Sequence, residues 1–157
     1  MTGININEAK EVEGKVLLGE AEYATVMPGN LRLTARIDSG ATTTSIHATQ
    51  VQLFERDGKR WVRFHADNGR GKDVTLELPR VRRVLIKGEG TNLEERQVVM
   101  IEVQIGSLRQ KIEATLSDRD NYHFPLLIGR NFLRDHTLID VSRKYIQGGK
   151  NSPKQQN

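Results

Sequence analysis

The sequence predicts an all-β domain that carries one short helix near its C-terminal end. Short runs of alternating apolar and polar residues recur along the chain, and Pro-Gly, Asp-Gly and Asn-Gly pairs, which favour tight turns, separate them. Only residues 130–135 have the pattern of a helix. The 157 residues are enough to bury one core, so we expect a single domain over 14–147. The polar ends, 1–13 and 148–157, are expected to be mobile tails.

The first predicted element is a β-hairpin that ends at Asp38. A strand over 15–27 and a second over 31–37 flank a Pro-Gly turn signal, and the second strand alternates apolar with polar residues. Further short strands are predicted at 51–55, 61–66, 74–78 and 81–86. A glycine-bearing loop over 87–92 follows them.

The strongest predicted strand pair lies in the second half of the chain. Strands over 97–105 and 108–116 flank a Gly-Ser turn, and apolar residues alternate along the first of them. The remaining predicted elements are a strand at 126–128, the helix at 130–135, and strands at 137–141 and 144–147.

The composition is that of an ordinary globular protein, with 36% hydrophobic and 28% charged residues. No apolar run is long enough to span a bilayer, so no membrane span is expected. The formal net charge is +4, but basic and acidic residues are interleaved and aromatic residues are scarce, so nucleic-acid binding is not expected. The N-terminus lacks a signal-peptide pattern, which predicts a cytoplasmic protein, whereas a periplasmic one would fit if a signal segment had been removed.

The sequence Asp38-Ser39-Gly40 directly follows the second predicted strand. A carboxylate at this position could point into a cleft, and Gly40 would let another backbone approach closely. The same residues also favour an ordinary Asx-turn at the end of a hairpin. Taken alone, the motif leaves both interpretations open.

A second motif favours the catalytic interpretation. Residues 125–133, PLLIGRNFL, join an apolar strand to a Gly-Arg pair and the short helix. In this order the two motifs resemble those of the retropepsin-like aspartic proteases, and the resemblance runs from about Lys15 to Ile146. It implies a closed β-barrel, the acid-protease fold, with one short C-terminal helix.

The resemblance also assigns roles to individual residues. It implies a catalytic loop formed by Asp38, Ser39 and Gly40. The substrate-binding and flap positions would be Ala41, Gly88, Glu89, Gly90 and Thr91. Structural support behind the loop would come from Ile128, Gly129, Arg130 and Asp118.

One position departs from the viral members of the family. They have an Asp two residues after the motif glycine, which pairs with the arginine of the Gly-Arg motif, but this chain has Thr42 there. Arg130 therefore needs another partner, and we expect Asp118 or Asp120 to supply it.

Aspartic proteolysis needs two carboxylates that share a proton. The chain has one Asp-Ser-Gly, and Asp140, which also follows apolar residues, lacks the glycine needed to build the same turn. The chain is also too short for two lobes. We therefore expect a homodimer that brings two Asp38 carboxylates together about a twofold axis and hydrolyses an extended peptide or protein substrate with activated water.

A closer resemblance is to the bacterial branch named ATP-dependent zinc proteases. It rests on four motifs: Asp-Ser-Gly-Ala at 38–41, Glu95-Arg96, Ser117-Asp118-Arg119, and Pro-Leu-Leu-Ile-Gly-Arg at 125–130. The chain nevertheless lacks the phosphate-binding G-x-x-x-x-G-K-S/T loop and the H-E-x-x-H zinc motif. It has no Cys, and its four His lack paired ligand spacing. We therefore expect neither a cofactor nor a metal ion.

Three further expectations concern the rest of the chain. Residues 50–79 exceed what a minimal retropepsin has at this point and are expected to form an added hairpin, in which Trp61, Val62 and Phe64 pack. Because a fold does not imply a function, an alternative is a non-catalytic peptide-binding or scaffold module. A third interpretation is a basic adaptor that binds nucleic acid or ribosomes.

Overall fold

The computed structural model describes residues 9–87, 90, 92–118 and 123–148. Within these residues the chain forms twelve strands and one short helix. The elements are β1 (Glu11–Val12), β2 (Lys15–Gly19), β3 (Ala21–Met27), β4 (Leu31–Ile37), β5 (Thr44–His47), β6 (Thr49–Arg56), β7 (Lys59–Asp67), β8 (Asp73–Lys87), β9 (Leu93–Ile105), β10 (Leu108–Ser117), β11 (Leu126–Ile128), α1 (Arg130–Leu133) and β12 (Thr137–Asp140).

Six strands close into a barrel in the order β10-β5-β11-β4-β3-β9, and the pairing of β9 with β10 completes the ring. The alternation that predicted the strands points apolar side chains into this barrel: Leu31, Leu33, Ala35 and Ile37 of β4 are all buried. The predicted β9–β10 hairpin forms across its Gly-Ser turn, with Leu108 paired to Ile105. The predicted all-β closed barrel with one short helix is confirmed.

The sheet continues beyond the barrel from β9 through β8 and β7 to β6. Strands β6 and β7 form a hairpin in the region where an added hairpin was expected. Val62, Phe64 and Ala66 of β7 are buried and join the main core, so this hairpin packs as part of the domain. Trp61 lies at the rim, beneath the guanidinium of Arg56 at 4.5 Å from its ring centre.

Two predicted strand boundaries are wrong. The single strand predicted over 15–27 is divided at Glu20, whose carbonyl accepts a hydrogen bond from Ile37 N–H, and β2 joins a small second sheet with β1 and β12. Strand β8 runs without a break through Pro79. It can do so because Pro79, which has no N–H, lies where β8 leaves β7 and begins to pair with β9.

Two further elements differ from prediction. The helix ends at Leu133, before the predicted end, because Arg134 is extended with ψ of 133° and Asp135 adopts a left-handed conformation with φ of 71°. Residues 144–147 form no strand. Within the predicted N-terminal tail, Glu11–Val12 pair with β2, while 1–8 and 149–157 lie outside the described residues, so the mobility of the two tails stays a prediction.

A buried carboxylate holds the C-terminal segment against the barrel. Glu22 is 0% exposed, and its two carboxylate oxygens accept hydrogen bonds from the N–H groups of Gly19 at 2.7 Å, Ile146 at 3.0 Å and Gln147 at 3.1 Å. Burial raises the pKa of Glu22, and these three hydrogen bonds oppose the rise. Ile146 and Gln147 are thus held by a side chain that lies 124 and 125 positions away in sequence.

We expect Asp140 to make stability depend on pH in the acid range. The hydroxyl and N–H of Ser142 and the guanidinium of Arg143 bind its carboxylate and lower its pKa from 3.8 to about 2. A lowered pKa contributes stability above the unfolded value, and this contribution is lost as the pH falls through 3.8 toward 2. Urea unfolding should show that the wild type has a higher free energy of unfolding than Asp140→Asn. This difference should be constant near neutral pH and should disappear below pH 4. A difference unchanged down to pH 2 would contradict the assignment.

Candidate active site

Asp38 lies at the end of β4, where β11 runs parallel beside it. Its N–H donates to the carbonyl of Ile128 at 2.9 Å, which continues the β4–β11 ladder past the last strand residue. The side-chain Oδ1 accepts a hydrogen bond from Gly40 N–H at 2.9 Å, and the Asp38 carbonyl accepts one from Ala41 at 3.2 Å. Asp38 therefore forms an Asx-turn, and the turn lies against the second motif.

The Gly-Arg segment passes directly behind this turn. A Cβ atom on Gly129 would lie 2.7 Å from the carbonyl carbon of Thr43, closer than real Cβ atoms come to other atoms, and 3.0 Å from the Ala41 oxygen. The N–H of Arg130 donates to that same Ala41 oxygen at 2.7 Å. Only glycine lets the two segments approach so closely.

Thr44 and Asn131 fasten the two segments together. Asn131 Oδ1 accepts hydrogen bonds from the backbone N–H of Thr44 at 3.0 Å and from its hydroxyl at 2.8 Å. The Thr44 hydroxyl oxygen accepts one from Gly129 N–H at 3.2 Å, and Asn131 Nδ2 donates to the Glu113 carbonyl at 2.8 Å. These bonds join β5, α1 and β10 behind the Asp38 turn.

Arg130 binds the loop that carries the Asp-Ser-Gly motif. Its guanidinium donates to the Ser39 carbonyl and to the Thr42 hydroxyl, each at 3.0 Å. Of the two expected partners of Arg130, Asp118 is not the one, since its Oδ1 lies 3.7 Å from His47 Nδ1 at the other end of β5, and Asp120 lies outside the described residues. Thr42, which replaces the acid of the viral enzymes, itself supplies the partner, since a hydroxyl oxygen accepts a hydrogen bond from a guanidinium.

The remaining predicted site residues separate into two groups. Ser39, Gly40, Ala41, Ile128, Gly129 and Arg130 lie together with Asp38. Of the predicted flap, Gly90 has φ of 75° in the loop between β8 and β9, while Gly88, Glu89 and Thr91 lie outside the described residues. The flap therefore stays a prediction.

Sequence reasoning missed Thr44 and Asn131. Each lies beside a recognised motif: Thr44 belongs to the hydroxyl run at 42–45 that follows Asp-Ser-Gly-Ala, and Asn131 directly follows Gly-Arg. A polar residue next to a motif and beside an apolar run is the signal that could have indicated a buried hydrogen bond.

The arrangement presents one half-buried carboxylate on a rigid turn. Among the described residues, no three His, Cys, Asp or Glu side chains come together in a group that could hold a metal ion. In the same residues, no helix is long and apolar enough to cross a membrane.

A barrel with an Asp-Ser-Gly turn supported by a Gly-Arg strand and helix defines a retropepsin-like protein. The chain belongs to the RimB-like family, described as "Retropepsin-like aspartic endopeptidase RimB", which matches residues 17–150. It is also similar in structure to a protein of unknown function from Legionella pneumophila, with a TM-score of 0.72 and 28% identity over 82% of this chain and 95% of that one.

Curated relatives have a different name. Proteins called "Probable alpha-L-glutamate ligase" from Shewanella halifaxensis and Desulfotalea psychrophila are 32% and 35% identical over 88% and 85% of this chain. The match covers 31% and 30% of those proteins, so this chain spans about a third of their length.

Proposed function

We propose that this protein is an aspartic endopeptidase whose two catalytic carboxylates are Asp38 of each protomer in a homodimer. The observation that carries the proposal is the Asp38 turn, locked from behind by Gly129 and bound by Arg130. Membership of a retropepsin-like endopeptidase family supports it. A partner protomer is the proposed source of the second carboxylate, because the chain has one Asp-Ser-Gly and the Asp140 carboxylate is bound by Ser142 and Arg143.

The proposed chemistry follows from two carboxylates at close range. Like charges at short distance cannot both ionise, so one Asp38 is ionised and the other holds a proton. The ionised carboxylate takes a proton from water, and the water oxygen attacks the peptide carbonyl carbon while the protonated carboxyl donates to the carbonyl oxygen. The leaving nitrogen then takes a proton as the C–N bond breaks, and no covalent enzyme intermediate forms.

The Asp38 turn suits this role because its geometry is fixed before substrate arrives. Gly40 N–H holds Oδ1, and Arg130 holds the carbonyl of the next residue, Ser39. Fixed groups need no reorganisation in the transition state. We expect a glycine-bearing loop around Gly90 to close over an extended peptide.

Mixing experiments test the requirement for two protomers. Wild type and Asp38→Asn are mixed in different ratios at fixed wild-type concentration, under conditions where subunits exchange, and cleavage of an unfolded protein is followed between pH 3 and 8. If both carboxylates are needed, activity per wild-type chain falls with its fraction, to roughly half in an equal mixture. Oligomeric state is monitored by light scattering. If activity per wild-type chain does not change when the variant is added, or if a monomer is active, the site is not shared between two protomers.

The relatives' name favours including glutamate-bearing peptides in the substrate panel, because those proteins are named for joining glutamate. The second candidate function is a non-catalytic peptide-binding module. That candidate is favoured by the observation that a similar region forms about a third of longer proteins. Peptide binding without cleavage by the wild type at any pH would support it.

A further inference from the structure

Two motifs that the Asp38 site does not use meet at one cavity elsewhere in the barrel. Glu95 and Arg96 of β9, and Ser117 and Asp118 at the end of β10, line a cavity of about 540 Å³. This volume is within the range of protein ligand sites. The cavity, which we call the edge cavity, is completed by Ala48, Thr49, Gln50, Val51, Leu53, Glu94, Gln97 and Leu116.

The lining residues show that the cavity borders strand edges. Neighbouring side chains of a strand point to opposite faces, yet consecutive residues line the cavity at 48–51, 94–97 and 116–118. Strand β9 pairs with β10 only from Val98 onward, so among the described residues its 93–97 edge on that side has no strand partner. Free strand edges are where an extended peptide adds by backbone hydrogen bonding.

A buried acceptor in the lining is unsatisfied. Gln97 is 7% exposed, and its Oε1 has no hydrogen-bond partner, while its Nε2 donates to Glu95 Oε1 at 3.0 Å. The Nε2–Glu95 bond fixes the amide orientation, because the opposite orientation would place two acceptors together. A buried unpaired acceptor is costly, so a donor brought by a ligand would be favoured there.

The described charges of the lining favour a cation. Glu94, Glu95 and Asp118 contribute three carboxylates, and Arg96 is the one guanidinium among the described lining residues. Arg96 Nε lies 3.4 Å from Glu94, Arg83 lies 3.3 Å from Glu95, and His47 lies 3.7 Å from Asp118, so two guanidinium groups face three carboxylates. The hydrogen bond from Gln97 lowers the pKa of Glu95, as does nearby Arg83, so Glu95 is ionised at neutral pH. Val51 and Leu53, 41% and 39% exposed, add apolar surface for the stem of a long side chain.

We propose that the edge cavity binds an extended peptide segment, which pairs with the 93–97 edge and places a lysine or arginine side chain against Gln97 and the carboxylates. The proposal rests on the proposed function in one respect: the segment would be part of the substrate. Strand β5 runs from Thr44 behind the Asp38 turn to His47, roughly 10 Å at the usual rise per residue. The same peptide could therefore reach Asp38 within a few residues of the cavity.

Peptide binding to the full chain with Asp38→Asn, in which no cleavage should occur, tests the proposal. The probes are fluorescent acetyl-Thr-Val-Thr-Lys-Thr-Val-Thr-amide and its counterparts with Gln or Glu in place of Lys. We expect the Lys peptide to bind about tenfold more tightly than the Glu peptide, with Gln between them. N-methylation of the peptide backbone should abolish binding, and the bound Lys peptide should slow hydrogen exchange at 93–97.

Two variants on one strand provide the matched comparison. Glu95→Gln, in the cavity, should weaken binding of the Lys peptide about fivefold. It should also reduce the preference for the Lys peptide over the Glu peptide. Glu102→Gln removes an acid that pairs with Arg109 at 2.8 Å, away from the cavity, and should leave affinity within about twofold. The Glu95 and Glu102 side chains are 38% and 40% exposed, so both variants should unfold close to the wild-type temperature.

The outcomes separate this inference from the proposed function. Equal affinity for Lys and Glu peptides, or no binding by a folded protein, overturns the inference even if the wild type cleaves peptides in an Asp38-dependent way. Tight, Glu95-dependent binding of the Lys peptide supports it even if no cleavage is seen, and the proposed endopeptidase activity alone would then fail.

Discussion

Asp38→Asn should abolish peptide hydrolysis while leaving the fold intact. Asparagine keeps the shape and the Oδ1 acceptor for Gly40 N–H, but it cannot take a proton from water. We expect kcat/KM to fall by roughly 10⁴-fold, the upper range for loss of a general acid–base group. The measurement is cleavage of an unfolded protein between pH 3 and 8 with a chelator present, alongside thermal unfolding.

A second Asx-turn of the same chain supplies the matched control. Asp67 Oδ1 accepts a hydrogen bond from Gly69 N–H at 2.8 Å, with the same two-residue spacing as Asp38 and Gly40. Asp67→Asn should leave activity within about twofold, because it makes the same chemical change in a turn away from the proposed dyad. Cleavage retained by a folded Asp38→Asn protein would refute the proposed endopeptidase mechanism.

Gly129→Ala should be among the most destabilising single substitutions in this protein. The new methyl group would lie 2.7 Å from the Thr43 carbonyl carbon, and backbone atoms cannot move aside as a flexible side chain can. Overpacking typically costs about 1–3 kcal/mol, and we expect a backbone clash to lie at the upper end of this range, a large part of the stability of a small domain. Any backbone shift that relieves this clash would move the segment after Asp38. Activity should therefore fall even at temperatures where the variant is folded.

Gly58→Ala separates this clash from the general cost of replacing glycine. Gly58 lies in the β6–β7 turn with φ of 75°, and a Cβ atom there would meet nothing within 4 Å. The left-handed conformation alone should cost about 1 kcal/mol, without loss of activity. The free energies of unfolding of both variants are measured in urea. Equal losses would show that the steric clash at Gly129 does not determine the loss of stability.

The region of the Asp-Ser-Gly and Gly-Arg motifs was predictable because its signals are local. Asp38-Ser39-Gly40 follows an alternating strand, and Gly129-Arg130 follows an apolar one, so each motif could be placed on its element from neighbouring residues alone. The structure then brings both motifs together at the predicted position. The partner of Arg130 was not predictable, because the loss of the usual acid left several oxygens equally available in sequence.

Strand β5 shows where local patterns fail. Its sequence, Thr-Ser-Ile-His, has one apolar residue, yet all four side chains are buried. They can be buried because of distant partners: the Ser45 hydroxyl bonds that of Ser117 at 2.9 Å, 72 positions away, and Thr44 bonds Asn131. A periodicity argument cannot detect a strand whose polar groups are satisfied from elsewhere in the chain.

The sequence by itself determined the all-β class, the β9–β10 hairpin and the candidate catalytic loop, because side-chain alternation and turn residues act over a few neighbouring positions. Tertiary structure alone decided which strands close the barrel, how β8 passes Pro79 and what Arg130 binds. It also brought Glu95-Arg96 and Ser117-Asp118 to one cavity. Those outcomes depend on contacts between residues far apart in sequence, whose free energies no local pattern contains.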